Sequence, residues 1–202
     1  LFRPHRKIIW DHHELAPERL LNSRFYRWLI GGCNIVLHAN VERVEYTVQQ
    51  LPEKYRTRFF VVENYPDIDF MNTIEQEIDP VFHNWLAGNQ YCLFQGAALT
   101  YRKVLECVEA VRSLPEMRMV IMGPCDDKTR EMITMRWPDY ESRIYITGWV
   151  AQSVFFRYMD KAVTSLVFYE NIDTNHWLCA PNRFYNAILR GIPVICGPNP
   201  PM

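Results

Sequence analysis

The sequence predicts an α/β protein made of two parallel-sheet pieces joined by a polar linker. Three observations carry this expectation. Short apolar strands alternate with helix-length amphipathic stretches along most of the 202 residues. The strands are near-continuously apolar, the pattern of parallel sheets covered by helices on both faces. The alternation breaks once, at the polar, turn-rich "ENYPDIDFMNTIEQEIDP", and then resumes. This length fits one large or two small domains.

Each element follows from local pattern. "KIIW" (Lys7 to Trp10) reads as a short buried strand. Pro17 opens a helix to about Ile30, with Leu20, Leu21, Phe25, Trp28 and Leu29 at helical spacing. "NIVLHA" (Asn34 to Ala39) is a strand, and Asn40 caps a helix to about Gln50 with Glu42 and Glu45 in its early turns. "RFFVV" (Arg58 to Val62) is a third strand; Glu63 to about Asn89 is a linker holding one short helix at most. The rhythm returns with "YCLFQG", strand ended by Gly96, then a helix from Tyr101 to Ser113. "RMVIMG" is strand ended by Gly123, followed by a helix from about Asp126 to Arg136. "RIYITG" is strand ended by Gly148, "AQSVFFRYMD" a short helix, and "AVTSLVFY" (Ala162 to Tyr169) strand. Irregular "ENIDTNHWLCA" leads into the helix of "APNRFYNAILRGIPVIC", which closes on the strand "PVIC".

Bulk properties exclude several function classes. A net charge of -1 supplies no basic face for a nucleic-acid backbone. No run of about 18 apolar residues exists, so no membrane-spanning helix is expected. The opening "LFRPHRKIIWDHH" lacks a signal-peptide apolar core. Six cysteines without a CxxC pair read as buried thiols in a reducing compartment. A cytoplasmic location is expected, peripheral to a membrane where an acceptor is lipidic. Missing edge strands would leave apolar surface for self-association.

Ligands of open α/β sheets bind at the carboxyl edges of the strands, and three segments there could carry chemistry. In "FQGAALTYRKVLE", Gly96 follows a strand and Arg102 and Lys103 open a helix. Glycine lets a ligand approach the backbone, a helix start attracts anions, and a guanidinium fork suits diphosphate oxygens. A solvated Arg-Lys pair is the simpler reading of that stretch alone. In the last helix, Pro181 suits the first turn and Ala180 offers no cap, so the N–H donors at its start are unmet. Arg183, Asn186 and Arg190 share its polar face. In "WDHHELAPER", Asp11, His12, His13 and Glu14 follow a strand directly, as an acid-base cluster or merely a turn. Glu170 and Asp173 are alternative ligands for sugar or ribose hydroxyls.

In this order the segments resemble the retaining glycosyltransferases of family 4, which have the GT-B fold. "PNRFYNAILRGIPVI" is similar to that family's signature "PNKLFEYLALGIPVI". Gly96 and Arg102 match its strand-Gly-x5-Arg/Lys, "YITGWV" its strand and G-x-V, "DHHE" its D-x-H-E, and "VVENYPD" its V-x-P-N-x-x-D. The resemblance covers nearly the whole chain. It implies two Rossmann-like pieces: residues 1–65 as part of the acceptor-side domain, 66–88 as linker, and 89–202 as the donor-binding domain, both pieces incomplete. It further implies transfer of a sugar, with retention, from a nucleotide-diphosphate sugar to a glycan, lipid or protein acceptor, as in polysaccharide biosynthesis. No cofactor and no metal would be needed, because arginines and helix ends stabilise the leaving group.

The same resemblance assigns roles. Arg102 and Arg183 would neutralise the diphosphate with the helix start at Pro181 and Asn182. The backbone of Gly148, Trp149 and Val150 would meet the base, and Gly96 would admit the ligand. His13 would face the sugar from the first domain. Two departures stand out. Asn186 occupies the place of a family glutamate expected to hold the ribose. The chain also matches only the middle of such an enzyme, as part of a longer or shortened protein would. A non-catalytic nucleotide-, glycan- or partner-binding module and a sugar-nucleotide epimerase are the rival readings.

Overall fold

A computed structural model describes residues 6–67 and 78–202. Much of the expected linker, 68–77, lies outside the described residues. The chain divides into two compact units. The first comprises Leu1–Asn64, Asn171–Ala180 and Pro198–Met202; the second comprises Tyr65–Glu170 and Pro181–Gly197.

In the first unit, strands β1 (Ile9–Asp11), β2 (Ile35–His38) and β3 (Phe59–Val61) form a parallel sheet in the order β1-β2-β3. Trp10 lies beside Val36 and Val36 beside Phe59, so one row of side chains meets the helices. Leu21, Tyr26, Ile30, Val36 and Phe59 are the buried centre of that layer. The expected helix from Pro17 to Ile30 is two: α1 (Glu18–Leu21) and α2 (Arg24–Gly32). Ser23 breaks them apart, because its hydroxyl accepts from the Tyr26 amide at 3.0 Å and starts a new helix. The next helix, α3 (Val41–Gln49), begins as expected on Asn40, whose side chain accepts from the Arg43 amide at 2.8 Å.

The second unit carries a parallel sheet of β4 (Gln90–Gln95), β5 (Met117–Met122), β6 (Ile144–Ile146), β7 (Ala162–Val167) and β8 (Val194–Cys196), in the order β6-β5-β4-β7-β8. The order reverses between β4 and β7, which makes that carboxyl edge the place for a ligand crevice. Ahead of the sheet runs α4 (Pro80–Leu86), the one short helix expected in the linker, capped by Asp79. Helices α5 (Val104–Arg112), α6 (Asp127–Arg136), α7 (Gln152–Phe155) and α9 (Asn182–Leu189) follow strands β4, β5, β6 and β7. Phe94, Val104, Val108, Met119, Ile121 and Ile133 form one buried layer, and Phe82, Tyr91, Leu93, Val120 and Phe156 the other. The expected helix from Tyr101 starts later. Thr100–Arg102 form a single 3-10 turn, and Lys103 takes a left-handed conformation (φ 59°) before α5 begins.

Between Glu170 and Pro181 lies one further turn of helix, α8 (Thr174–Trp177), which belongs to the first unit. All six cysteines are free thiols, with Cys33, Cys92 and Cys107 buried. No helix among the described residues is long and apolar enough to cross a membrane.

Candidate functional site

Three strands of the second unit end beside one another on polar or glycine residues. The β4–β5 ladder runs on past the strand ends: the Gly96 amide donates to Met122 O at 2.8 Å and the Ala98 amide to Pro124 O at 2.8 Å. Gly123 makes this crossing possible. A Cβ there would stand 2.5 Å from the Gly96 carbonyl oxygen, where no side chain fits. The two loops therefore leave the sheet backbone against backbone, with no side chain between them. After β6, Gly148 takes a positive φ of 68° and turns the chain.

Above these ends lies a cavity of about 320 Å³. Gly96, Arg102, Trp149 and Val150, four residues expected at the site, line it together with Gln95 and Gly123. Trp149 is 88% exposed, an uncommon position for a large apolar ring.

Two arginines approach one ring, Tyr169, though only Arg102 lines the cavity. Arg102 lies 5.8 Å from the centre of the Tyr169 ring, and Arg183 lies 4.6 Å from the same ring. Their settings differ. Arg102 is half-buried, donates one bond to Ala97 O at 3.2 Å, and keeps a buried Nε with no hydrogen-bond partner among the described residues. Arg183 is 5% exposed. Its guanidinium donates to Gln95 O at 3.1 Å and Phe168 O at 3.0 Å, and lies over Phe94 at 5.3 Å. It ties the end of β4 to the end of β7 and brings a positive charge to the edge of the sheet.

The last helix begins without a side-chain cap at Pro181, and Asn182 is exposed. Pro181 is thus the capping position itself, one residue before the first turn. Asn186 is buried at 6% exposure. Glu170 is engaged elsewhere: it takes the Lys103 ammonium at 2.7 Å, and its amide donates to Tyr101 O at 2.8 Å. The bonds that Lys103 donates to Glu170 and Glu106 push its pKa upward.

Gln95 was not among the expected site residues. It is 92% buried by complement of its 8% exposure, and its Oε1 has no partner among the described residues. A polar residue closing an otherwise apolar strand, directly before glycine, is the signal that could have found it.

His13 belongs to the first unit, after β1. Its side chain is exposed, and its carbonyl accepts from Arg43 Nη1. His12 turns the opposite way and is buried with His38, ring centres 4.7 Å apart. His12 Nδ1 pairs with the Tyr26 hydroxyl at 3.1 Å and His38 Nε2 with Thr47 Oγ1 at 3.2 Å. Burial, then the charge of Arg43, lowers the His12 pKa to about 4. Burial, then His12 and Arg43, lowers that of His38 to about 3. Asp173, expected near Glu170, also belongs to the first unit. Among the described residues no group of three His, Cys, Asp or Glu is arranged to hold a metal ion.

No family profile matches the chain, and no curated protein matches it in sequence. Solved structures do. HepE from Anabaena, in complex with UDP and glucose, superposes with a TM-score of 0.68 at 14% identity, over 95% of this chain and 53% of that one. The lipopolysaccharide outer core galactosyltransferase WaaB gives 0.59 at 18% identity, over 96% and 51%. A putative UDP-N-acetylglucosamine 2-epimerase from Listeria monocytogenes gives 0.54 at 14%, over 95% and 50%. The chain spans about half the length of these proteins. At such identities the likeness is one of fold, and the fold is α/β with two parallel-sheet pieces of the GT-B type.

Proposed function

We propose that the second unit binds a nucleotide-diphosphate sugar at the carboxyl edge of β4, β5 and β6. The observation that carries this is the convergence of Gly96, Arg102, Trp149 and Val150 on one cavity, with Arg183 reaching the same tyrosine as Arg102. In this reading the diphosphate lies against Arg102 and the uncapped start of α9 at Pro181 and Asn182. Half-burial strengthens the attraction of a guanidinium for phosphate, and the amides of a helix start add donors at no reorganisation cost. Arg183 contributes charge from below and fixes the spacing of β4 and β7. The base meets the Gly148–Val150 turn.

The protein to which this fold belongs would use the bound donor for retaining, metal-independent glycosyl transfer of the family 4 kind, as in polysaccharide biosynthesis. Arginines and the helix start then stabilise the leaving diphosphate, and His13 is the residue the resemblance assigns to the sugar. The acceptor is a glycan, lipid or protein. The likeness to a putative 2-epimerase favours one second reading, interconversion of a sugar nucleotide at the same pocket.

Calorimetry tests the donor site directly. UDP, GDP and their sugars are titrated into the chain and into Arg102→Ala. At least one nucleotide binds the parent chain, and Arg102→Ala weakens it about 10- to 100-fold, the loss of a charge-assisted bond. The variant keeps its fold, because the Arg102 side chain donates only to Ala97 O among the described residues. Absence of binding by all these nucleotides to the folded chain overturns the reading. Product analysis then separates transfer or hydrolysis from epimer formation.

A further inference from the structure

The first unit contains a second cavity, of about 370 Å³, within the size range of small-molecule sites. Its walls come from three places: the stretch from Leu15 to Glu18 after β1, Tyr46 on α3, and Asp173, Thr174 and Asn175 at the start of α8. All belong to the first unit.

The cavity is held open by a buried clamp. Asn175 Oδ1 accepts from the Leu15 amide at 2.9 Å and from Arg43 Nη2 at 2.8 Å. Arg43 Nη2 also donates to Asn175 O at 3.2 Å, and Arg43 Nε to Leu178 O at 3.0 Å. Arg43 is only 3% exposed, and Asn40 Nδ2 adds a bond to Leu178 O at 3.0 Å. The opposing walls are therefore fixed at both sides by one guanidinium and one amide. A gap so braced is preformed and spares a ligand the cost of ordering its walls.

The lining chemistry is selective. Glu18 and Asp173 bring carboxylates, and Thr174 and Tyr46 bring hydroxyls; Asp173 Oδ1 already takes the His176 amide and Nδ1 at 2.8 Å, so Glu18 is the unengaged one, and no lysine or arginine among the described residues lines the space. Such a wall repels phosphates and carboxylates and accepts hydrogen bonds from hydroxyl groups. Leu15, Ala16, Pro17 and the Tyr46 ring add an apolar surface. Hydroxyl donors along an edge and a C–H face together describe a pyranose ring.

We infer that this cavity is a binding site for a neutral sugar unit, held by Glu18 and Asp173 through its hydroxyls and by Tyr46 and the Leu15–Pro17 stretch through its C–H face. The inference is independent of the nucleotide reading, because it concerns the first unit and its probes carry no nucleotide.

Saturation-transfer NMR on the intact chain tests it. The probes are the methyl glycosides of glucose, galactose and N-acetylglucosamine, with spermidine as a cationic control and glucose 6-phosphate as an anionic one. At least one glycoside receives saturation with a weak, measurable Kd, and glucose 6-phosphate binds less well. Glu18→Gln and Tyr46→Ala each raise that Kd about tenfold. Tyr46 packs against the core, so Glu18→Gln, at an exposed side chain that makes no hydrogen bond among the described residues, decides the matter should Tyr46→Ala lose structure. Saturation of spermidine alone, of no probe, or of a glycoside whose Kd neither folded variant changes would overturn the inference.

Discussion

The carboxyl edges of the two sheets are built from opposite materials. In the second unit, β4 and β5 run out into Gly96 and Gly123, whose backbones touch and leave a cavity lined by Arg102 and Trp149. In the first unit, β1 and β2 run out into His12 and His38, which fill the corresponding edge with two buried rings tilted at 46° to each other. One edge is open because its strand ends carry no side chain. The other is closed because its strand ends carry large ones, each bonded to a neighbouring hydroxyl through one ring nitrogen. The residue that terminates a strand thus decides whether the carboxyl edge of a parallel sheet becomes a pocket or a plug.

Filling the open edge should have the largest effect. Gly123→Ala forces a Cβ into the Gly96 carbonyl at a positive φ of 154°, and the chain loses about 4 kcal/mol of stability in a urea titration. Retained stability would show that the loops separate easily and that the contact is incidental.

Charging the closed edge comes next. The His12 and His38 pKa values are lowered from 6.5 to about 4 and about 3. Below pH 6.5 the unfolded chain therefore holds more protons than the folded one, and stability falls with pH. The loss is full-scale once the pH drops below the folded values, and for His12 alone is on the order of 3 kcal/mol. Hydrogen exchange in a peptide covering β2, followed from pH 7.5 to 4 and corrected for intrinsic exchange, reads it locally. A His12→Phe/His38→Phe variant should flatten the slope; an unchanged slope assigns the acid sensitivity elsewhere.

A smaller effect sharpens the role of the α9 start. Pro181→Asp supplies the missing cap, since position 181 already has extended backbone (φ -78°, ψ 154°). Stability rises by about 1 kcal/mol, while the new carboxylate competes with a diphosphate for the same amides. Nucleotide affinity, where the donor reading holds, drops about fivefold by calorimetry. Gain of stability with undiminished affinity would place the diphosphate away from this helix.

Most of the fold was legible because its signals are local. Asn40 caps α3 as its side-chain chemistry requires, and apolar runs marked all eight described strands to within a few residues. The misses have local causes too. Leu20, Leu21, Phe25 and Trp28 keep helical spacing across Ser23, so periodicity alone hid the break that its cap creates. Lys103 adopts a left-handed conformation for which lysine gives no warning. At the site, Gly96, Arg102 and the Gly148–Val150 turn each carry their own signature. The tethering of Arg183 to the carbonyls of Gln95 and Phe168 does not, because it depends on which strands flank the helix. Nor does the allegiance of residues 171–180 to the first unit. Their polarity marks a loop, but the partner that holds them, Arg43, lies 132 residues from Asn175 in the chain.

That excursion makes the first unit discontinuous in sequence. Its compact body needs Asn171–Ala180 and Pro198–Met202, which a ribosome delivers only after nearly all of the second unit. Until then Asn40 Nδ2 and Arg43 Nε lack Leu178 O, and Arg43 Nη2 lacks Asn175. Assembly of the first unit is therefore completed only after residues 171–180 have been made.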